Sequence, residues 1–160
     1  MRAEYVNAFL VPSVQVLQKM SGAEVKAGKV SRLGHSLGNT GDPHLSILIG
    51  LKGRLSGSVI LAAARPVAES LTARILKSSE DAVTEDDVRA VMAEVANTVV
   101  GNATGLLYDL GIKAGITPPT VVLGMGVRFG FDGGVESVQI PLETPDGKIY
   151  VVVSLTRENP

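Results

Sequence analysis

The sequence predicts an α+β fold in which a largely antiparallel sheet carries two long helices. Apolar residues recur at spacings of three and four near the start and again after residue 84. Alternating segments fill much of the remainder, and short turns join consecutive strands. The order is therefore one helix, strands, two helices and strands. No linker or shift in composition divides the 160 residues, so we predict one domain over residues 1–160.

The first helix is predicted over residues 3–20, where apolar side chains return every three or four positions. These side chains are Val6, Phe9, Leu10, Val14, Leu17 and Met20. Pro12 lies inside this pattern and removes a backbone donor, so we expect either a kink or a late helix start there. Ser21 and Gly22 end the helix.

In the middle of the chain, the sequence predicts strands and a loop. Residues 23–32 alternate small or apolar with charged side chains, which favours a strand, and residues 33–43 form a glycine-rich loop. That loop lacks the spacing of a phosphate-binding loop, and no helix follows it directly. Residues 44–52 and 55–64 predict a hairpin joined around Gly53.

A second helix is predicted over residues 65–77, with Pro66 at its start. The end of the chain predicts three more strands, the last two joined by a Pro-Asp-Gly turn. They cover residues 117–131, 134–144 and 147–157.

Composition excludes several classes of site. Fifteen Lys and Arg against sixteen Asp and Glu leave a formal charge of −1, which argues against a nucleic-acid or membrane-surface partner. The chain contains no Cys, which excludes disulfides and thiolate metal ligands. We find no secretory leader and no apolar run of about 20 residues, so we expect a cytoplasmic protein. His35 and His44 flank the glycine-rich loop without a carboxylate cluster, so a structural or solvated role is favoured over a metal site.

The third helix carries the most informative pattern. Thr84 is a good N-cap, and the three acidic residues that follow suit the positive end of the helix dipole. At about 100° per residue, a buried stripe gathers opposite Glu94. We predict that this stripe contains Val88, Met92, Val95, Ala96, Val99, Ala103, Leu106 and Leu107.

The face around Glu94 has few large side chains. Within about 60° of Glu94 lie Ala90, Asn97, Thr98, Gly101 and Gly105. Each glycine costs a helix roughly 1 kcal/mol relative to Ala, and close approach by another surface would offset that cost. The surface that approaches is either a helix of the same domain or of a second copy, or a separate molecule.

The side chains of Glu94 and Asn97 sit side by side, which limits the chemistry available. An amide has no useful basicity, but it donates and accepts hydrogen bonds and can therefore orient a water. Orientation suffices in phosphoryl transfer through a loose transition state. That reaction also needs a metal ion and cations, which this helix face lacks, so a partner would have to supply them.

These residues resemble the CheC/CheX/FliY family of chemotaxis phosphatases, and within it CheX. The resemblance rests on Glu94-x-x-Asn97 within EVANTVVGNATGLL, followed by Pro118-Pro119 ahead of a strand. The opening VNAFLVPSVQVLQKM and the hairpin segment GLKGRLSGSVILAA are also similar to CheX. The motif occurs once, as in CheX, and we therefore expect a CheC/CheX-like fold with the motif on one of the two long helices.

The resemblance implies a phosphatase that acts on the aspartyl phosphate of a CheY-like response regulator. It implies that Asn97 orients the attacking water and that Glu94 pairs with a Lys of the regulator. The regulator would supply Mg²⁺, the chain would need no cofactor of its own, and the protein would be a homodimer. Ala90, Thr98 and Gly101 are predicted to contact the partner. The wider motif often has Asp or Ser where this chain has Ala90, which removes one supporting polar contact.

Two alternatives belong to other classes. A non-catalytic module would use the same helix face to bind a response regulator or to dimerise, and would act as an adaptor. An autonomous hydrolase built on the loop with His35 and His44 would act on small phosphate esters without a partner.

Overall fold

The computed structural model describes residues 1–33, 44–124 and 135–156. Within these ranges the helices are α1 (Ala3–Ser21), α2 (Arg65–Leu76) and α3 (Glu85–Asp109), and a short 3-10 helix covers Glu80–Ala82. The helices α1 and α3 are the two long helices that the sequence predicts. The helix that opens with Pro66 is also confirmed.

The described strands form one antiparallel sheet in the order β1-β7-β8-β4-β3-β5, with β2 also paired to β7 and β6 to β3. The α+β fold with an antiparallel sheet is confirmed. The strands are β1 (Lys26–Ala27), β2 (Ser31–Leu33), β3 (His44–Gly53), β4 (Gly57–Ala64), β5 (Ala114–Ile116), β6 (Thr120–Gly124), β7 (Val135–Thr144) and β8 (Gly147–Thr156).

The main core lies between the sheet and the helices. Alternate side chains of β3, namely Leu45, Ile47, Ile49 and Leu51, are buried in this core, as the two-residue period of a strand requires. Helix α3 contacts α1, α2 and the strands β3, β5 and β6. This packing fixes which side of α3 can face outward.

Helix α1 corrects one prediction. It begins at Ala3 and continues through Pro12, so the late start is wrong. Tyr5, Ala8 and Phe9, on the N-terminal side of the proline, are buried, and their burial stabilises the early turns despite the missing backbone donor.

The segment predicted as one strand over residues 23–32 is instead two short strands, β1 and β2. Both pair with β7, and between them the Gly28 amide donates to the Pro141 carbonyl at 2.8 Å. The sequence analysis also missed β5, which pairs with the end of β3.

Two predicted segments lie outside the described residues: the glycine-rich loop from residue 34 to 43, and residues 125–131 of the strand predicted at 117–131. The single domain over 1–160 stays a prediction. No helix in the described part of the chain has the length and hydropathy of a membrane span.

Candidate functional site

Helix α3 begins with a capping box. The Asp87 amide donates to Thr84 Oγ1 at 3.1 Å, and the Thr84 amide donates to Asp87 Oδ2 at 3.0 Å. Two of the unpaired donors at the helix start are thereby satisfied. The predicted N-cap at Thr84 is confirmed, and the start of α3 is fixed about three turns before Asn97.

The buried side of α3 agrees with the predicted stripe except at two positions. Leu106 is 37% exposed, so its predicted burial is wrong, whereas Val100 is buried and was not predicted. Helix α3 packs against α1, α2 and the strands β3, β5 and β6, so several elements together determine which of its residues are buried. The buried residues are Val88, Met92, Val95, Ala96, Val99, Val100, Ala103 and Leu107.

The opposite side of α3 faces outward. Ala90 and Glu94 are exposed, and Asn97, Thr98 and Gly101 are half-buried. The five residues span three turns of one helix and lie within about 60° of Glu94 around its axis. The fold therefore holds all of the predicted site residues on a single rigid face.

The side chain of Asn97 has no hydrogen-bond partner among the residues that the structure describes. Its carbonyl oxygen and both of its amide hydrogens are free for an external molecule. Glu94, one turn earlier, has a neighbour: Thr98 Oγ1 lies 3.3 Å from Glu94 Oε1 and 2.8 Å from the Glu94 carbonyl oxygen. The face thus presents one free amide beside one carboxylate.

The two glycines of this face lie in open space. A Cβ atom built on Gly101 or Gly105 would meet no atom within 4 Å outside the local helix backbone. Among the described residues, no helix of the same chain packs against these glycines, so that interpretation of the glycines is wrong. Contact with a second copy or with a separate molecule is compatible with this geometry.

The loop with Pro118 and Pro119 joins β5 to β6. Thr117 anchors it to the sheet, because its amide donates to the Gly50 carbonyl at 2.9 Å and its Oγ1 accepts from the Gly50 amide at 2.8 Å. The prolines therefore continue a fixed connection and carry no chemistry of their own.

The described residues contain no group of three or more His, Cys, Asp or Glu side chains that could hold a metal ion. His35 lies outside the described residues, and His44 is the first residue of β3. A cavity of about 420 Å³ lies near the starts of α2 and α3, between Arg65 and Glu85. Glu85 is three turns of α3 away from Asn97, so this cavity is separate from the face around Glu94.

Two exposed residues at the end of this face, Tyr108 and Asp109, were missed by the sequence analysis. Tyr108 is 67% exposed and lies within about 40° of Glu94 around the helix axis. The signal was available, because the same angular count continues from Gly105 to Tyr108.

We next compared the chain with known proteins, and a family model matches most of it. The family model for "Chemotaxis phosphatase CheX" matches residues 45–143, a range that contains the hairpin β3–β4, helix α3 and the strand β7. The chain belongs to the CheX family. As a member it is an enzyme of the phosphatase class, as the sequence predicts.

A curated relative, the CheY-P phosphatase CheX of Thermotoga maritima, is 29% identical over 130 residues, which cover 81% of this chain and 81% of the relative. Among solved structures, the CheX-CheY-BeF₃-Mg²⁺ complex from Borrelia burgdorferi matches with a TM-score of 0.82 and 27% identity, covering 98% of this chain and 100% of the other. A CheC-like superfamily protein from Shewanella sp. PV-4 has the same fold, with a TM-score of 0.85 at 24% identity and coverage of 98% and 100%.

Proposed function

We propose that this CheX-family protein hydrolyses the aspartyl phosphate of a CheY-like response regulator. The observation that carries the proposal is the free Asn97 amide beside the exposed Glu94 on an outward-facing helix. The Thermotoga relative, named a CheY-P phosphatase, and the Borrelia complex of CheX with CheY support the choice of substrate.

Asn97 is proposed to orient the attacking water. Its carbonyl oxygen would accept a hydrogen bond from the water and turn the water lone pair toward phosphorus. The water oxygen then forms a P–O bond, the bond from phosphorus to the aspartate oxygen breaks, and the water proton passes to the departing phosphate. Because the transition state is loose, positioning contributes more than proton abstraction by a base.

Glu94 is proposed to anchor the regulator through an ion pair with a Lys beside the phosphorylated aspartate. The carboxylate of Glu94 is exposed, so it is hydrated in the free protein and accessible to a cation on the partner. No other charged side chain lies on this face of α3 between Ala90 and Tyr108. A single negative charge beside a neutral amide suits a partner surface with a cation next to its phosphate.

The metal of the reaction is assigned to the regulator. The described residues do not fit a metal ion, since they contain no cluster of acidic or imidazole ligands. The Borrelia complex contains CheY, BeF₃ and Mg²⁺ together with CheX, which supports this assignment. No residue of this chain is proposed to bind Mg²⁺.

The test is dephosphorylation of a phosphorylated CheY-type regulator with Mg²⁺ by wild type, Asn97→Ala and Asn102→Ala. Asn102 is the matched control, because it is an exposed Asn on the same helix, about 140° away from Asn97. We expect Asn97→Ala to lower the catalysed rate about 100-fold while regulator binding persists, and Asn102→Ala to change it less than twofold. Unchanged acceleration by Asn97→Ala would remove the proposed role of the amide. Binding by wild type without acceleration would identify the protein as an adaptor.

A further inference from the structure

Tyr108 stands out among the large hydrophobic side chains of the described residues because it is the most exposed of them, at 67%. It lies one residue before the end of α3 at Asp109. Its hydroxyl has no hydrogen-bond partner within the described ranges. The packing of the residues that the structure describes therefore gives no reason for an aromatic residue at this position.

Tyr108 lies on the same face of α3 as the proposed catalytic pair. It follows Asn97 by eleven residues, which is about 16 Å along the helix axis. Between the two, the line along the face passes over Gly101 and Gly105, which have no side chains. Thr104 is turned back onto the helix, where its Oγ1 donates to the Gly101 carbonyl at 2.7 Å. A surface that reaches Asn97 thus meets no obstacle on α3 before Tyr108.

We propose that Tyr108 is a second anchor for the response regulator, an inference that rests on the proposed function. A standard interface covers about 800 Å² per partner, which is a patch about 16 Å in radius. A patch centred between Asn97 and Tyr108 includes both, because each lies about 8 Å from its centre. Exposed Tyr is also enriched among the few side chains that dominate binding energy at interfaces.

The character of the face favours the regulator over a second copy of the chain. From Asn97 to Tyr108 this face has no charge, and the first charge after Glu94 is Asp109, the exposed last residue of α3, about 60° from Glu94 around the axis. The partner surface there should be apolar with an acceptor or donor for the phenol, while its cation lies at the Glu94 end. A second copy seated on this face would cover Asn97 and exclude the substrate, which conflicts with the family's phosphatase activity.

The test uses Tyr108→Ala, Tyr108→Phe and the control Leu76→Ala. Leu76 is an exposed large hydrophobic residue, 46% accessible, at the end of α2 rather than on α3. The assay measures Kd for a CheY-type regulator loaded with BeF₃ and Mg²⁺, and kcat and KM for the phosphorylated form. Light scattering reports the oligomeric state of each variant.

We expect Tyr108→Ala to raise Kd and KM about 30-fold at an unchanged kcat. Tyr108→Phe should raise Kd and KM less than about threefold, and Leu76→Ala should leave both unchanged. Equal Kd values for Tyr108→Ala and wild type would overturn the proposal. So would dissociation of an oligomer by Tyr108→Ala without a change in Kd, since Tyr108 would then join copies of the chain. Failure of the proposed function would appear differently, as wild-type binding without phosphate loss, and Kd would still test Tyr108.

Discussion

The hydroxyl of Thr98 lies within hydrogen-bond distance of two oxygens of Glu94, one turn earlier: 2.8 Å from its carbonyl oxygen and 3.3 Å from its Oε1. A hydroxyl shared in this way ties the carboxylate to the helix surface beside Asn97. Thr98 touches no reacting atom in the proposed mechanism, so we interpret it as a positioning residue for Glu94.

Replacement of Thr98 by Val should therefore weaken anchoring of the regulator without affecting the chemical step. Val keeps the branched shape and loses only the hydroxyl, and an exposed contact of this kind contributes about 0.5–1 kcal/mol. We expect KM to rise about two- to fivefold at an unchanged kcat. Thr98→Ser keeps the hydroxyl and should restore the wild-type KM. Identical KM values for the Val and Ser variants would argue against positioning through the hydroxyl.

Substitution of Gly101 or Gly105 by Ala should separate stability from function. The added Cβ meets no atom within 4 Å in either case, and Ala favours a helix over Gly by about 1 kcal/mol. We expect each variant to raise Tm by about 2–4 °C in a thermal melt. Under the proposed docking, the same methyl group separates the partner from the helix and raises KM.

The glycine variants also have a clear contrary outcome. If both raise Tm and leave KM and kcat at wild-type values, close approach of the regulator over these glycines does not occur. A lower Tm would mean instead that the helix is not free to accept a side chain there, against the open space around both positions.

The sequence was sufficient for elements whose signals are local. Thr84 and Pro66 marked helix starts, and two apolar segments joined around Gly53 marked the hairpin β3–β4, because capping and tight turns act within a few residues. Glu94 and Asn97 were predicted to share the face opposite the buried stripe for the same reason, since helix geometry alone relates residues three apart, but whether another helix covers that face was left open.

The remaining features depend on distant partners. The three residues of β5 form a strand only because the end of β3 is available to pair with them. The split of residues 23–32 into β1 and β2 depends likewise on β7. Exposure of Leu106 depends on which other elements pack beside that part of α3, and a uniform angle of about 100° per residue does not encode this packing.

Asp146, in the turn between β7 and β8, should make stability depend on acid pH. Its Oδ2 accepts from Arg74 Nε at 2.8 Å and its Oδ1 accepts from Ser70 Oγ at 2.7 Å, which ties the turn to α2. The hydrogen bond from Arg74 lowers the pKa of the Asp146 carboxyl below its ordinary value of 3.8, against the opposing effect of burial. The folded pKa is thus below the unfolded one, so the stabilisation is present above about pH 4 and is lost as pH falls through the folded value.

The variant Asp146→Asn should lower the free energy of unfolding by about 2 kcal/mol at pH 7, because it removes hydrogen bonds to a charged acceptor. Denaturant unfolding at pH 7 and at pH 3 measures the effect, and the difference from wild type should shrink at pH 3. Asp81→Asn is the control, since Asp81 is exposed on the 3-10 helix. A difference from wild type that is equal at both pH values would contradict the role assigned to the charge.

Gly147, next to Asp146, should be the least replaceable residue of the same turn. Its φ of +127° lies in a region that residues with a Cβ rarely adopt, and a Cβ there would lie 2.6 Å from Val67 Cγ2 of α2. Two separate costs therefore act on Gly147→Ala, backbone strain and a clash, which together should lower the free energy of unfolding by about 2–3 kcal/mol. Gly22→Ala is the comparison without a clash, because Gly22 also has a positive φ but open space around it; its φ of +70° lies in the left-handed helical region, so its strain should be smaller than that at Gly147. Adding Val67→Ala to Gly147→Ala should relieve the clash but not the backbone strain. The double variant should therefore lose less free energy of unfolding than the sum of the two single losses. Strict additivity in denaturant unfolding would mean that Val67 does not contact the new methyl group, and that the turn is held to α2 by Asp146 alone.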